Sequence, residues 1–95
     1  MTLPKILAAH ETIEVDGAEV DIRALSRAEA ARFHKMVADG KTMADLEIAV
    51  LAAGTDTPID EAKSWYENTP SSAVDQVLTA IKNLSRLDEE AQKSG

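Results

Sequence analysis

The chain has 95 residues, 17 acids against 10 bases, a net charge of −7 and no cysteine. A length of that order allows one domain with a small core. The acidic balance argues against direct binding to DNA, RNA or an anionic membrane, which call for clustered lysine and arginine. The lack of cysteine excludes disulfides, thiolate metal sites and cysteine catalysis.

Met1 to Ala9 carries one base and a very short apolar run, unlike a secretory leader, and no apolar run approaches the roughly 20 residues that span a bilayer. The default expectation is a cytoplasmic protein. The apolar residues are mainly aliphatic and alanine, with one Phe, one Trp and one Tyr. That composition suits closely packed helices.

Residues 12–23 alternate apolar and polar on both sides of Asp16-Gly17. Asp-Gly between two alternating runs predicts a hairpin with a two-residue type I′ turn, which needs positive φ at both central positions. Such a loop pairs Val15 with Ala18 and Ile13 with Val20, so Ile13, Val15, Ala18, Val20 and Ile22 share one face. The other face sets Glu14 opposite Glu19 and Thr12 opposite Asp21, and must be solvated or meet a basic partner. A lone hairpin is marginal in water, so its apolar face is expected on helices.

Ser26-Arg27-Ala28-Glu29 reads as a capping box that starts a first helix, with Leu25 and Ala30 as a hydrophobic staple. Ala30, Phe33 and Val37 form its inner stripe, Met36 lies beside it, and Asp39-Gly40 ends it. A second helix is predicted from about Met43 to Ala53, capped by Thr42 and ended by Gly54. Met43, Leu46, Val50 and Ala53 make one stripe and Ala44, Ile48 and Leu51 a neighbouring one, so this helix is expected at the centre.

Thr57-Pro58 predicts the cap and first residue of a third helix, about Pro58 to Asn68, with Ile59, Ala62, Trp65 and Tyr66 facing inward. Thr69-Pro70 repeats the device for the last helix, in which Val74, Val77, Leu78, Ile81, Leu84 and Leu87 follow the 3-and-4 spacing. The fold class is therefore α+β, mostly α: an N-terminal β-hairpin packed on a cluster of about four short helices. Residues 1–87 form one domain, and 88–95 a polar, flexible tail. Short connections make consecutive helices near neighbours.

No constellation for chemistry emerges. His10 falls in the N-terminal segment and His34 on the outer side of the first helix, without the converging ligands a metal needs. Asp60-Glu61 and Glu89-Glu90 read as helix-start charge and solvated tail. There is no nucleophile elbow and no glycine-rich phosphate loop. The sequence therefore reads as non-enzymatic, with no catalytic, cofactor-binding or metal-binding residue. Trp65-Tyr66 is the one aromatic pair; Trp65 is either the largest core residue or an interface anchor. Leu84 and Leu87, at the distal end of the last stripe, are candidates to dock a partner helix. Trp65, Leu84 and Leu87 are the candidate partner-binding residues.

Several segments carry a resemblance. These are Glu14-Val15-Asp16-Gly17, Arg23 to Ala30, Leu51-Ala52-Ala53-Gly54-Thr55, Asp60-Glu61-Ala62-Lys63-Ser64-Trp65, Thr69-Pro70, and Ile81-Lys82-Asn83-Leu84-Ser85-Arg86-Leu87. In that order, across residues 12–87, they resemble the short tail assembly chaperones of long-tailed bacteriophages and prophages.

The resemblance implies a protein of the host cytoplasm, absent from the mature virion. It would coat the tape measure protein, which is long, helical and aggregation-prone, and help recruit tail-tube subunits to it. It also implies no cofactor. Assembly of several copies is compatible with it. Two other readings fit the residues: a structural head–tail completion protein, which would stay in the particle, and a small acidic adaptor or antitoxin-type inhibitor of a basic partner.

Overall fold

A computed structural model of the chain describes residues 3–4 and 9–85. The elements, in order, are strands β1 (His10–Val15) and β2 (Ala18–Arg23) and helices α1 (Arg27–Ala38), α2 (Met43–Gly54), α3 (Ile59–Asn68) and α4 (Ser71–Ser85). A β-hairpin followed by four helices is the α+β arrangement expected from the sequence. Leu87 and the polar tail 88–95 lie outside the described residues.

The hairpin has the predicted register. Val15 pairs with Ala18, Ile13 with Val20, Glu14 with Glu19 and Thr12 with Asp21, and the ladder continues to His10 and Arg23. Asp16 (φ 50°) and Gly17 (φ 83°) supply the two positive φ values of the turn. His10 is thus the first residue of β1 rather than part of an irregular segment. Val15 and Ile22 are buried, and Ile13 and Val20 half-buried, because this face lies on α4. Ala18, beside the turn, reaches past the helix and is exposed.

α1 begins at the predicted capping box. The Ser26 hydroxyl accepts from the Glu29 amide (3.2 Å), and the Glu29 carboxylate accepts from the Ser26 amide (2.9 Å). Its inner stripe runs through Ala30, Phe33 and Met36. Val37, expected inward, is exposed: the helix is turned so that the i, i+3 row meets α2, and Met36 rather than Val37 completes it. Thr42 caps α2 through its hydroxyl, which accepts from the Asp45 amide (3.1 Å).

α2 is the central helix, packed against α1, α3 and α4. It buries Ile48, Val50 and Leu51, whereas Met43, in its first turn, stands out beyond the core. Gly54 ends the helix as predicted, as its last helical residue. It is buried, and Ile81 of α4 lies against it.

The two Thr-Pro pairs act differently from the expectation. Pro58 itself occupies the cap position of α3 (φ −56°, ψ 144°), and its carbonyl accepts from the Ala62 amide (3.0 Å). Thr57 makes no cap; its hydroxyl lies 2.7 Å from that of Thr55. Likewise the Pro70 carbonyl accepts from the amides of Ala73 (3.0 Å) and Val74 (3.1 Å) at the start of α4. At Pro58 an extended ψ places the ring just outside the helix, where its fixed φ and missing N–H cost nothing.

α4 carries the core. Ala73, Val74, Val77, Leu78 and Ile81 are all buried, and Ile81 is 0% exposed. Its main packing is on α2 and both strands rather than along α3, so chain order does not set this neighbour relation. The Ser85 hydroxyl accepts from the Leu25 amide (2.8 Å), tying the end of α4 to the entry of α1.

Candidate interaction surface

One polar arrangement joins three parts of the fold. Arg23, at the end of β2, makes a two-pronged contact with Glu29 of α1: Nη1 to Oε1 at 2.9 Å and Nη2 to Oε2 at 2.7 Å. Its Nε donates to Asp56 Oδ1 (2.8 Å) in the α2–α3 loop, and Nη1 also donates to the Ala24 carbonyl (3.0 Å). The planar guanidinium fork suits this geometry, which a lysine does not reproduce. The side chains of Arg23 and Glu29 are 19% and 14% exposed. Chiefly through this hydrogen bonding, the Glu29 carboxyl is held down at about 2, and Arg23 is pushed above its already high value.

Asp56 itself sits at φ 51°, in the left-handed region. Replacing it with glycine removes one ion pair and relieves that backbone cost, so Asp56→Gly should change stability by less than about 1 kcal/mol. Asp56→Ala loses the pair while keeping a Cβ at positive φ, and should lose about 1–2 kcal/mol more than the glycine variant. Thermal unfolding of the two side by side checks this ordering.

None of this clamp is legible in the sequence, where Arg23 is only the end of an alternating strand. The one available signal was Glu29, whose capping-box role left its second oxygen free for an arginine.

The clamp forms one wall of an open cleft of about 510 Å³ between α1, α2 and the start of α3. Phe33, Met36, Ala49 and Ile59 give it an apolar lining. Ile59, expected inward, is 53% exposed at the rim, because the first residue of α3 lies past the end of the core.

Trp65 borders a different cleft, of about 220 Å³, together with Leu51, Thr55, Ala62 and Val77. At 37% exposure it is neither a core residue nor fully free, and the cleft it borders is lined from α2, α3 and α4. Its neighbour Tyr66 is half-buried, and its hydroxyl donates to Glu47 of α2 (2.6 Å). That carboxylate contact, with burial second, raises the Tyr66 pKa.

Leu84, the second candidate contact residue, is half-buried and packs against the core. It lies seven residues beyond Val77 on α4, or roughly 10 Å along the axis. Trp65 and Leu84 are not lining residues of one cleft, and Leu87 is not among the described residues.

The hairpin's solvent face holds Thr12, Glu14, Asp16, Glu19 and Asp21. Thr12 donates to Asp21 (2.7 Å); Glu14 and Glu19 are opposed and exposed. His10 and His34 are exposed. Among the described residues no group of three or more His, Asp or Glu side chains is placed to hold a metal ion, and no helix is long and apolar enough to cross a membrane. The chain matches no family model, no curated protein and no solved structure.

Proposed function

We propose that this protein is a non-enzymatic tail assembly chaperone of a long-tailed bacteriophage or prophage. It acts in the host cytoplasm, binds the tape measure protein, keeps it soluble and helps recruit tail-tube subunits. The observation that carries this reading is apolar surface kept on a strongly acidic domain. Trp65, Ile59, Met43 and Val37 are exposed in a chain of net charge −7. A protein that holds an aggregation-prone helix needs apolar contact area together with charge enough to keep the complex soluble. The ordered resemblance of residues 12–87 to the short tail assembly chaperones supports the same reading.

Trp65 is the contact residue on which the test turns. Leu84 packs on the core, so truncating it reports on folding as well as on binding, and Leu87 follows it three residues on. Co-expression with the tape measure protein of the same genome should keep that protein soluble, and the two should co-purify in both low and high salt. Trp65→Ala should reduce the co-purified amount at least tenfold while costing about 1–2 kcal/mol of stability, as expected for losing a partly buried indole. Aggregation of the tape measure protein with or without this chain defeats the proposal. Recovery of this chain by mass spectrometry from purified virions also defeats it, and favours a head–tail completion protein.

A further inference from the structure

The outer edge of β1 offers backbone groups that no described residue uses. The Ala24 amide donates to the Ala9 carbonyl (2.8 Å), so Ala9–Ala24 is a hydrogen-bonded pair of the ladder. In an antiparallel pair such positions recur at every second residue. Given the register, Glu11–Ile22, Ile13–Val20 and Val15–Ala18 are therefore bonded pairs. The intervening residues of β1, Thr12 and Glu14, turn their N–H and C=O groups away from β2. The sheet has two strands, and among the described residues no backbone group bonds to that edge.

Beside the edge runs an open trough of about 450 Å³ between β1 and α4. Ile13 and Ala80, both half-buried, give it an apolar floor. Asp75 and Glu14 are its charged lining residues, and both are acidic. The neighbouring hairpin face adds Asp16, Glu19 and Asp21. Arg23, the one base in the hairpin, is held by Glu29 and Asp56.

Edge strands with free backbone groups template the addition of another strand, and pockets for alternate side chains then select the sequence. We propose that the β1 edge and its trough receive an extended segment of a partner protein as a third strand, one in which apolar residues alternate with lysines or arginines. The apolar side chains lie on Ile13 and Ala80. The basic ones lie on the opposite face, beside Glu14 and within reach of Glu19. A second copy of this chain is a poor occupant, because it brings the same acidic face and a further charge of −7. This surface lies on the hairpin and α4 and does not depend on the tape measure reading, whose test concerns Trp65.

The probe is a fluorescein-labelled peptide, Lys-Val-Lys-Val-Lys-Val-Lys, titrated into the full chain and followed by anisotropy and by amide exchange in NMR. Binding should slow exchange of the Thr12 and Glu14 amides at least tenfold and weaken as salt rises. A peptide of the same composition with its lysines and valines in separate blocks should bind at least tenfold more weakly.

Thr12→Pro removes only an outward N–H, a position where an edge strand tolerates proline. It should reduce affinity at least tenfold, whereas Thr12→Val, which loses the hydroxyl but keeps the N–H, should bind like the wild type. Glu14→Gln should weaken binding a few-fold and flatten its salt dependence. Should Thr12→Pro lose the circular dichroism of the folded chain, the exchange measurement on the wild type decides. Equal binding of the blocked peptide, or no slowing at Thr12 and Glu14, overturns the proposal. Slow exchange of both amides before any peptide is added, in a monomer or a dimer, overturns it as well.

Discussion

Replacing Gly54 with alanine is expected to destabilise the domain by about 2 kcal/mol, although alanine is the better helix former by about 1 kcal/mol. The reason is the close approach of α2 and α4. A Cβ built at Gly54 would stand 2.5 Å from Ile81 Cδ1 and 2.9 Å from both Cγ1 and Cγ2. Cγ1 and Cγ2 are bonded directly to the β-carbon of a side chain that is 0% exposed, so no swing into solvent relieves the clash. For a domain of this size the loss corresponds to a fall in melting temperature of roughly 10 °C.

The pair can be tested as a pair. Ile81→Val alone removes Cδ1 and should cost about 1 kcal/mol. Combined with Gly54→Ala it removes the shortest contact, so the double variant should be more stable than the sum of the two singles by at least about 0.5 kcal/mol. Thermal or urea unfolding of the four proteins measures this. An unchanged or raised melting temperature in Gly54→Ala would mean that the two helices do not pass this closely.

Gly54 also shows where local sequence reasoning stops. A glycine after an apolar helical stripe signals a helix end, and the helix does end there. Its buried contact with Ile81, 27 positions later, leaves no local trace. The same holds for Val37 and Met36. Both fit an apolar stripe starting at Ala30, and only the placement of α2 decides that Met36 turns inward and Val37 out.

Features encoded within a few residues were legible: the Asp16-Gly17 turn and its register, the Ser26–Glu29 capping box, the Thr42 cap and the α4 stripe. The candidate site was less so. Trp65 was recognisable as the one indole of an aromatic-poor chain, yet its place at the border of a cleft depends on α2 and α4 meeting α3. Leu84 was read as the far end of a stripe, but the Ser85–Leu25 hydrogen bond draws that end of α4 against the entry to α1, and Leu84 packs inward with it. The free edge of β1 follows from the register, but its trough follows from how α4 crosses the sheet.

Arg23→Ala should cost about 2 kcal/mol at neutral pH, a large effect for a residue at a strand end. An exposed ion pair contributes about 0–1 kcal/mol. This one is largely shielded and two-pronged, and it shares its arginine with a second carboxylate. It fastens the end of β2 to the first turn of α1 and to the α2–α3 loop. Removing the guanidinium leaves Glu29 charged and largely buried, with the Ser26 amide as its remaining strong partner.

The pH dependence has a definite sign. Glu29 titrates at about 2 in the folded chain against an ordinary 4.5, so the folded state prefers the carboxylate. The stabilisation is fully present above about pH 4.5 and is lost as the pH falls from there toward 2. The wild type should therefore exceed Arg23→Ala by about 2 kcal/mol at pH 7, and the gap should close progressively below pH 4.5. Glu29→Gln should show the same narrowing, because it also lacks the charge whose titration is at stake. Urea unfolding of the three proteins at pH 7, 4 and 2.5 gives the comparison. A gap between wild type and Arg23→Ala that stays constant over that range would show that Arg23 stabilises the fold by packing alone.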